Sequence, residues 1–93
     1  MRLSPIEIAH IKECVVGFDP IAKVYLFGSR TDDTKKGGDI DLLIFSQTMD
    51  LHSKLELKGK LFQLFEEQKI DIIIEPDGSK PFVKLILEEA IKL

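Results

Sequence analysis

Residues 26–44, LFGSRTDDTKKGGDIDLLI, constrain the fold of this chain more than any other stretch. A short apolar segment runs into a Gly-Ser turn, a polar loop follows, and two aspartates one residue apart open a second apolar segment. Side chains alternate across a strand, so Asp39 and Asp41 share one face while Ile40 points to the other. Adjacent carboxylates repel unless a cation lies between them, and hard divalent ions such as Mg2+ are held by one or two carboxylates together with phosphate oxygens. A turn built from Gly28 and Ser29 can offer backbone N–H groups to a phosphate. A phosphate cradle and an acidic metal site joined by one loop imply chemistry on a nucleoside triphosphate.

A solvated edge strand protected from aggregation is the plainer account of Asp39 and Asp41. Against it, Ile40, Leu42, Leu43 and Ile44 mark a strand buried along most of its length, and aspartate is a poor strand former. Asp71 interrupts a similar apolar run, Ile70-Asp71-Ile72-Ile73-Ile74. If the two strands are neighbours, Asp39, Asp41 and Asp71 form a triangle that can hold metal and take a proton from an attacking hydroxyl. A boundary aspartate at a strand end is the alternative for Asp71. Gly28 lets backbone approach a phosphate and adopt positive φ, and the Ser29 hydroxyl adds a donor. Arg30, fixed beside the turn, is positioned to neutralise phosphate charge, whereas Lys35 and Lys36 read equally well as solvated loop residues.

The 93 residues suffice for one domain, expected to span 1–93. A net charge of −3 argues against extended nucleic-acid binding, which leaves a basic footprint. The single cysteine, Cys14, excludes an internal disulfide framework and lies in an apolar helical stretch, where a buried structural thiol is expected. No apolar run approaches the ~20 residues of a membrane span, and the N-terminus turns charged too early for a signal peptide, so a cytoplasmic location is expected.

Along the chain, Ser4-Pro5-Ile6-Glu7 reads as a capping box opening a helix that ends near Gly17. Strands are expected over 22–27, 39–45 and 69–75, and a helix over about 50–68 with Leu51, Leu55, Phe62 and Phe65 along one side, widened by Leu57, Leu61 and Leu64. The 76–79 segment, Pro-Asp-Gly-Ser, is a turn, and a closing helix from 80 or 81 to Leu93 spreads apolar residues over half its circumference. The order α-β-β-α-β-α predicts an α+β domain, a mixed sheet of three or more strands with helices packed on one face.

Leu26-Phe27-Gly28-Ser29-Arg30 followed by Gly38-Asp39-Ile40-Asp41-Leu42-Leu43 resembles the signature of the minimal nucleotidyltransferases of the DNA polymerase β-like superfamily. The resemblance covers nearly the whole chain. It implies a polymerase β palm-like fold, with Gly28, Ser29 and Arg30 on the triphosphate, Asp39 and Asp41 on two Mg2+ ions, and Asp71 as third catalytic acid and metal ligand. The implied reaction is attack of a hydroxyl on the α-phosphorus of ATP or another nucleoside triphosphate. The loop departs from the pattern: residues 30–38 are one fewer than usual, and Gly37-Gly38 replaces a pair ending in serine. Larger members carry an extra domain for the acceptor, so this chain is expected to obtain that surface from a partner; the apolar closing helix is either a contact for it or simply a terminal helix sunk into the core, and a homo-oligomer is another route. Similar family members are often encoded beside a helical HEPN-type toxin, which they modify with AMP as antitoxins. Two other functions remain: a non-catalytic antitoxin acting by stoichiometric contact, and nucleotidyl transfer to a small molecule.

Overall fold

The computed structural model describes residues 3–28, 39–65 and 69–93. Its elements in chain order are α1 (Pro5–Val16), β1 (Lys23–Phe27), β2 (Ile40–Phe45), α2 (Leu51–Leu64), β3 (Ile70–Glu75), α3 (Pro81–Leu87) and β4 (Ile91–Lys92). The expected α+β architecture holds, with a mixed four-stranded sheet in the order β3-β2-β1-β4.

The capping box at the start of α1 is present as expected: Glu7 N–H donates to the Ser4 hydroxyl (3.1 Å), and Ser4 N–H donates to the Glu7 carboxylate (2.8 Å). With Pro5 in the first turn, both local signals start the helix where its inward residues can reach the sheet. Ile11 and Val15 of α1 meet Leu57 and Leu61 of α2 in one core cluster over Leu26, Leu42 and Ile44. All of these except Val15, at 1 %, are fully inaccessible.

The inward stripe of α2 is only a part of the expected side. Leu57, Leu61 and Phe65 face the core, whereas Leu51, Leu55 and Phe62 are exposed. Both stripes satisfy helical spacing. Which of them turns inward depends on how the connection from β2 lands on the sheet, and helical periodicity carries no record of that.

β1 and β2 are antiparallel, while β2 and β3 are parallel and joined through α2, a β-α-β crossover. The closing helix is shorter than expected. It ends at Leu87, and Ile91 and Lys92 form a strand against Leu26 and Tyr25. The Leu93 N–H extends this pairing by donating to the Val24 carbonyl (2.9 Å). The open edge of β1 supplies hydrogen-bonding groups that outweigh the helical preference of the last residues. Consequently Ile91 and Leu93 belong to the sheet and not to an apolar helical face. Among the described residues, no helix is long and apolar enough to cross a membrane.

Candidate active site

The start of the parallel pair gathers the acidic residues. The Ile40 N–H donates to the Lys69 carbonyl (3.1 Å), which fixes the two strand openings level with each other. In that register Asp41 lies opposite Asp71 and Ile40 opposite Ile70. The isoleucines enter the core, so the aspartates emerge on the opposite face of the sheet. Asp39, two residues before Asp41, lies next to Lys69, two residues before Asp71. All three sequence-predicted acids are therefore brought to one strand end.

Lys69 organises the outer edge of this group. Its Nζ is 3.6 Å from Asp39 Oδ2 and 3.9 Å from Asp71 Oδ2. Asp41, like the other two, is only partly accessible. Burial pushes its carboxyl above the ordinary value of 3.8, and the negative charges of Asp71 and Asp39 push in the same direction, against the pull of Lys69. Its electrostatic situation is that of an acid facing too much negative charge.

β1 delivers the remaining wall. Phe27 pairs with Asp41, so the chain leaves the strand beside that carboxylate. Gly28 follows with φ +78°, in the left-handed region. A Cβ at this position would collide with Asp41 Oδ2 and lie 3.2 Å from its Cγ. Glycine is thus required twice, by conformation and by the close approach of the Asp41 carboxylate. Ser29, Arg30, Lys35, Lys36, Gly37 and Gly38 lie outside the described residues.

Among the described residues, no three His, Cys, Asp or Glu side chains form a ready cage for one ion. The donors nevertheless fit a hard divalent cation in kind: they are carboxylate oxygens, they repel one another, and a lysine ammonium already lies across two of them. Lys69 was not singled out by sequence reasoning. The signal was present, because Lys-x-Asp in a strand puts cation and acid on the same face.

The other end of the same sheet face has a different character. Tyr25 and Phe45 meet edge to face with ring centroids 5.5 Å apart. Beyond them a cleft of about 520 Å³ opens between Lys23, Ser46, Thr48 and Asp77. Asp19, expected only to make a turn, is buried there at 4 % exposure. It accepts from the Ser46 hydroxyl (2.5 Å) and the Ile21 N–H (3.1 Å). The Ser46 oxygen in turn accepts from the N–H groups of Thr48 and Met49.

No curated protein matches the chain in sequence. Solved structures match its fold. A chain from a tri-AMPylated Shewanella oneidensis HEPN toxin in complex with MNT antitoxin superposes with a TM-score of 0.72 at 20 % identity, covering 94 % of this chain and 68 % of that one. A mutant MntA–HpeT toxin–antitoxin structure gives 0.73 at 22 % identity, covering 92 % and 69 %. A toxin–antitoxin structure with AMP-PNP gives 0.75 at 22 % identity, covering 97 % and 72 %. The family model described as polymerase beta, nucleotidyltransferase matches residues 9–93. With the match running from within α1 to the last residue, the chain belongs to the polymerase β nucleotidyltransferase family.

Proposed function

We propose that this chain, acting in the cytoplasm as one domain over 1–93, transfers a nucleoside monophosphate, AMP from ATP, to a hydroxyl of a HEPN-type partner protein and so serves as its antitoxin. The observation that carries the reading is the convergence of Asp39, Asp41 and Asp71 at one strand end beside the left-handed Gly28. Membership of a nucleotidyltransferase family supports the reaction class. The partner and the adenylyl group are supported by the similar folds, which come from toxin–antitoxin complexes, one with an AMPylated HEPN toxin and one with AMP-PNP.

In this reading Gly28 leaves room for the phosphates to approach the backbone, and Ser29 and Arg30 bind their oxygens. Asp39 and Asp41, with Asp71, would hold Mg2+. Two such ions, when bound, stabilise the attacking and leaving oxygens of an in-line displacement. Asp71 accepts the proton of the acceptor hydroxyl, that oxygen forms a bond to the α-phosphorus, and the bond to the bridging oxygen breaks to release pyrophosphate. The helical partner supplies the acceptor and the surface around it.

The test is incubation of the chain and its co-purified partner with α-labelled ATP and Mg2+. Label on the partner, lost in Asp39→Asn/Asp41→Asn, is the expected result; equal labelling by the double variant sinks the reading. One observation favours the non-catalytic antitoxin instead: Lys69 already supplies a positive charge to Asp39 and Asp71. On that account the double variant rescues cells from the toxin fully, and no modified partner is found.

A further inference from the structure

The ammonium of Lys69 sits across two carboxylates that the proposed reaction assigns to metal, and the quality of its contacts is informative. At 3.6 and 3.9 Å it is within ion-pair range of Asp39 and Asp71 but beyond hydrogen-bond distance of both. The Lys69 side chain is 66 % exposed and the two aspartates are each 45 % exposed. A second lysine–carboxylate pair, between Glu75 at the end of β3 and Lys80 just before α3, is built differently. Lys80 lies 3.0 Å from Glu75, whose side chain is only 12 % exposed. The Glu75 pair is shorter and includes a hydrogen bond (3.4 Å to Oε2), whereas the Lys69 contacts are longer ones across an open site.

We propose that Lys69 is a place-holding cation that competes with divalent metal for Asp39 and Asp71. It compensates the acids when metal is absent and must swing out when metal enters. The inference rests on the assignment of these aspartates as metal ligands. Three carboxylates at one strand end repel one another, and Asp41, itself only partly accessible, has no cation of its own within ion-pair distance among the described residues. A solvated lysine bridging the other two lowers that repulsion at small entropic penalty, because exposed pairs of this kind are weak and readily exchanged. A doubly charged ion seated among the same oxygens would meet the ammonium as a like charge. Displacement is easy, since the lysine stem lies at the rim of the sheet and is free to extend into water. Free metal therefore binds weakly, and the released ammonium is left beside the place where triphosphate charge arrives. Lys69 acts through Asp39 and Asp71, so it is a positioning residue.

The test measures Mn2+ alone binding to the purified full chain by titration calorimetry, for wild type, Lys69→Met, Lys69→Arg and Asp39→Asn. Loss of the ammonium in Lys69→Met is expected to tighten Mn2+ binding about 3- to 10-fold, as removal of weak exposed ion pairs implies, while Lys69→Arg stays near wild type. Asp39→Asn is expected to lose binding. Thermal melting provides the second readout: metal-free Lys69→Met melts below wild type and gains more from added Mn2+. Unchanged or weaker Mn2+ binding by Lys69→Met, with Asp39→Asn still defective, overturns the competition and leaves the metal assignment standing. Mn2+ binding that ignores Asp39→Asn, or is absent from every variant, overturns the metal assignment and the inference together.

Discussion

Two carboxylates at opposite ends of the sheet, Asp41 and Asp19, show how differently the same side chain can be placed. Asp19 is the more buried by surface area, yet its hydrogen bonds to Ser46 and Ile21 hold its carboxyl below the ordinary range. Asp41 is the more open, yet burial and its acidic neighbours hold it above that range. Hydrogen-bond donors decide the first case; burial, seconded by the neighbouring negative charges, decides the second. One end of the molecule is satisfied by hydrogen bonds and serves the fold; the other gathers three carboxylates around one exposed lysine.

This contrast can be broken most severely at the acidic end. Asp39→Asn/Asp41→Asn should lower nucleotidyl transfer by about 100-fold or more, as loss of key electrostatic stabilisers does elsewhere, while circular dichroism and melting show an intact fold. Gly28→Ala comes next. Its Cβ would meet the Asp41 carboxylate at a backbone position with φ +78°, and a strained left-handed residue costs about 1–3 kcal/mol. Denaturant unfolding should register that loss, with reduced transfer in the same preparation.

At the satisfied end, Ser46→Ala removes a buried hydroxyl that donates to Asp19 and accepts from two backbone N–H groups. Unpartnered buried groups cost about 1–3 kcal/mol, so urea unfolding should detect the change while the catalytic rate per folded molecule stays constant. The smallest expected effect concerns pH. The raised value of Asp41 contributes stability that is fully present below its ordinary value of 3.8 and lost as pH rises through the folded value. Asp19 has the reverse sign: its contribution is present above 3.8 and is lost as pH falls through its lowered value. Asp41→Asn should therefore melt slightly above wild type at neutral pH in metal-free buffer and converge with it in acid. A constant gap across pH contradicts the assignment.

The acidic end was legible in the sequence because each signal was local. Asp-x-Asp within an apolar run fixes a shared face, and a second interrupted run containing Asp71 fixes its counterpart. Only the pairing of the two strands had to be assumed, and their parallel register supplies it. Lys69 escaped notice because a lysine at a strand start is ordinary, and only its distance to Asp39, thirty positions away, gives it meaning. The Asp19–Ser46 link was hidden for the same reason, since it joins two turns far apart in the chain. The end of α3 was misread because the apolar spacing through Ile91 and Leu93 suits a helix. The vacant edge of β1, which claims those residues, has no trace in their own sequence.

The edge-to-face pair of Tyr25 and Phe45 also has a practical consequence. The chain contains one tyrosine and no tryptophan, so all of its tyrosine emission, distinct from the weaker and shorter-wavelength phenylalanine emission, comes from Tyr25. Tyr25 pairs with Leu43, the next residue along the acidic face of β2 from Asp41, and is itself pinned by Phe45. The fold thus carries a native fluorophore on the face where substrate and partner are proposed to arrive. A partner or nucleotide without emission in that window can be followed through this single ring, without a label and without altering the protein.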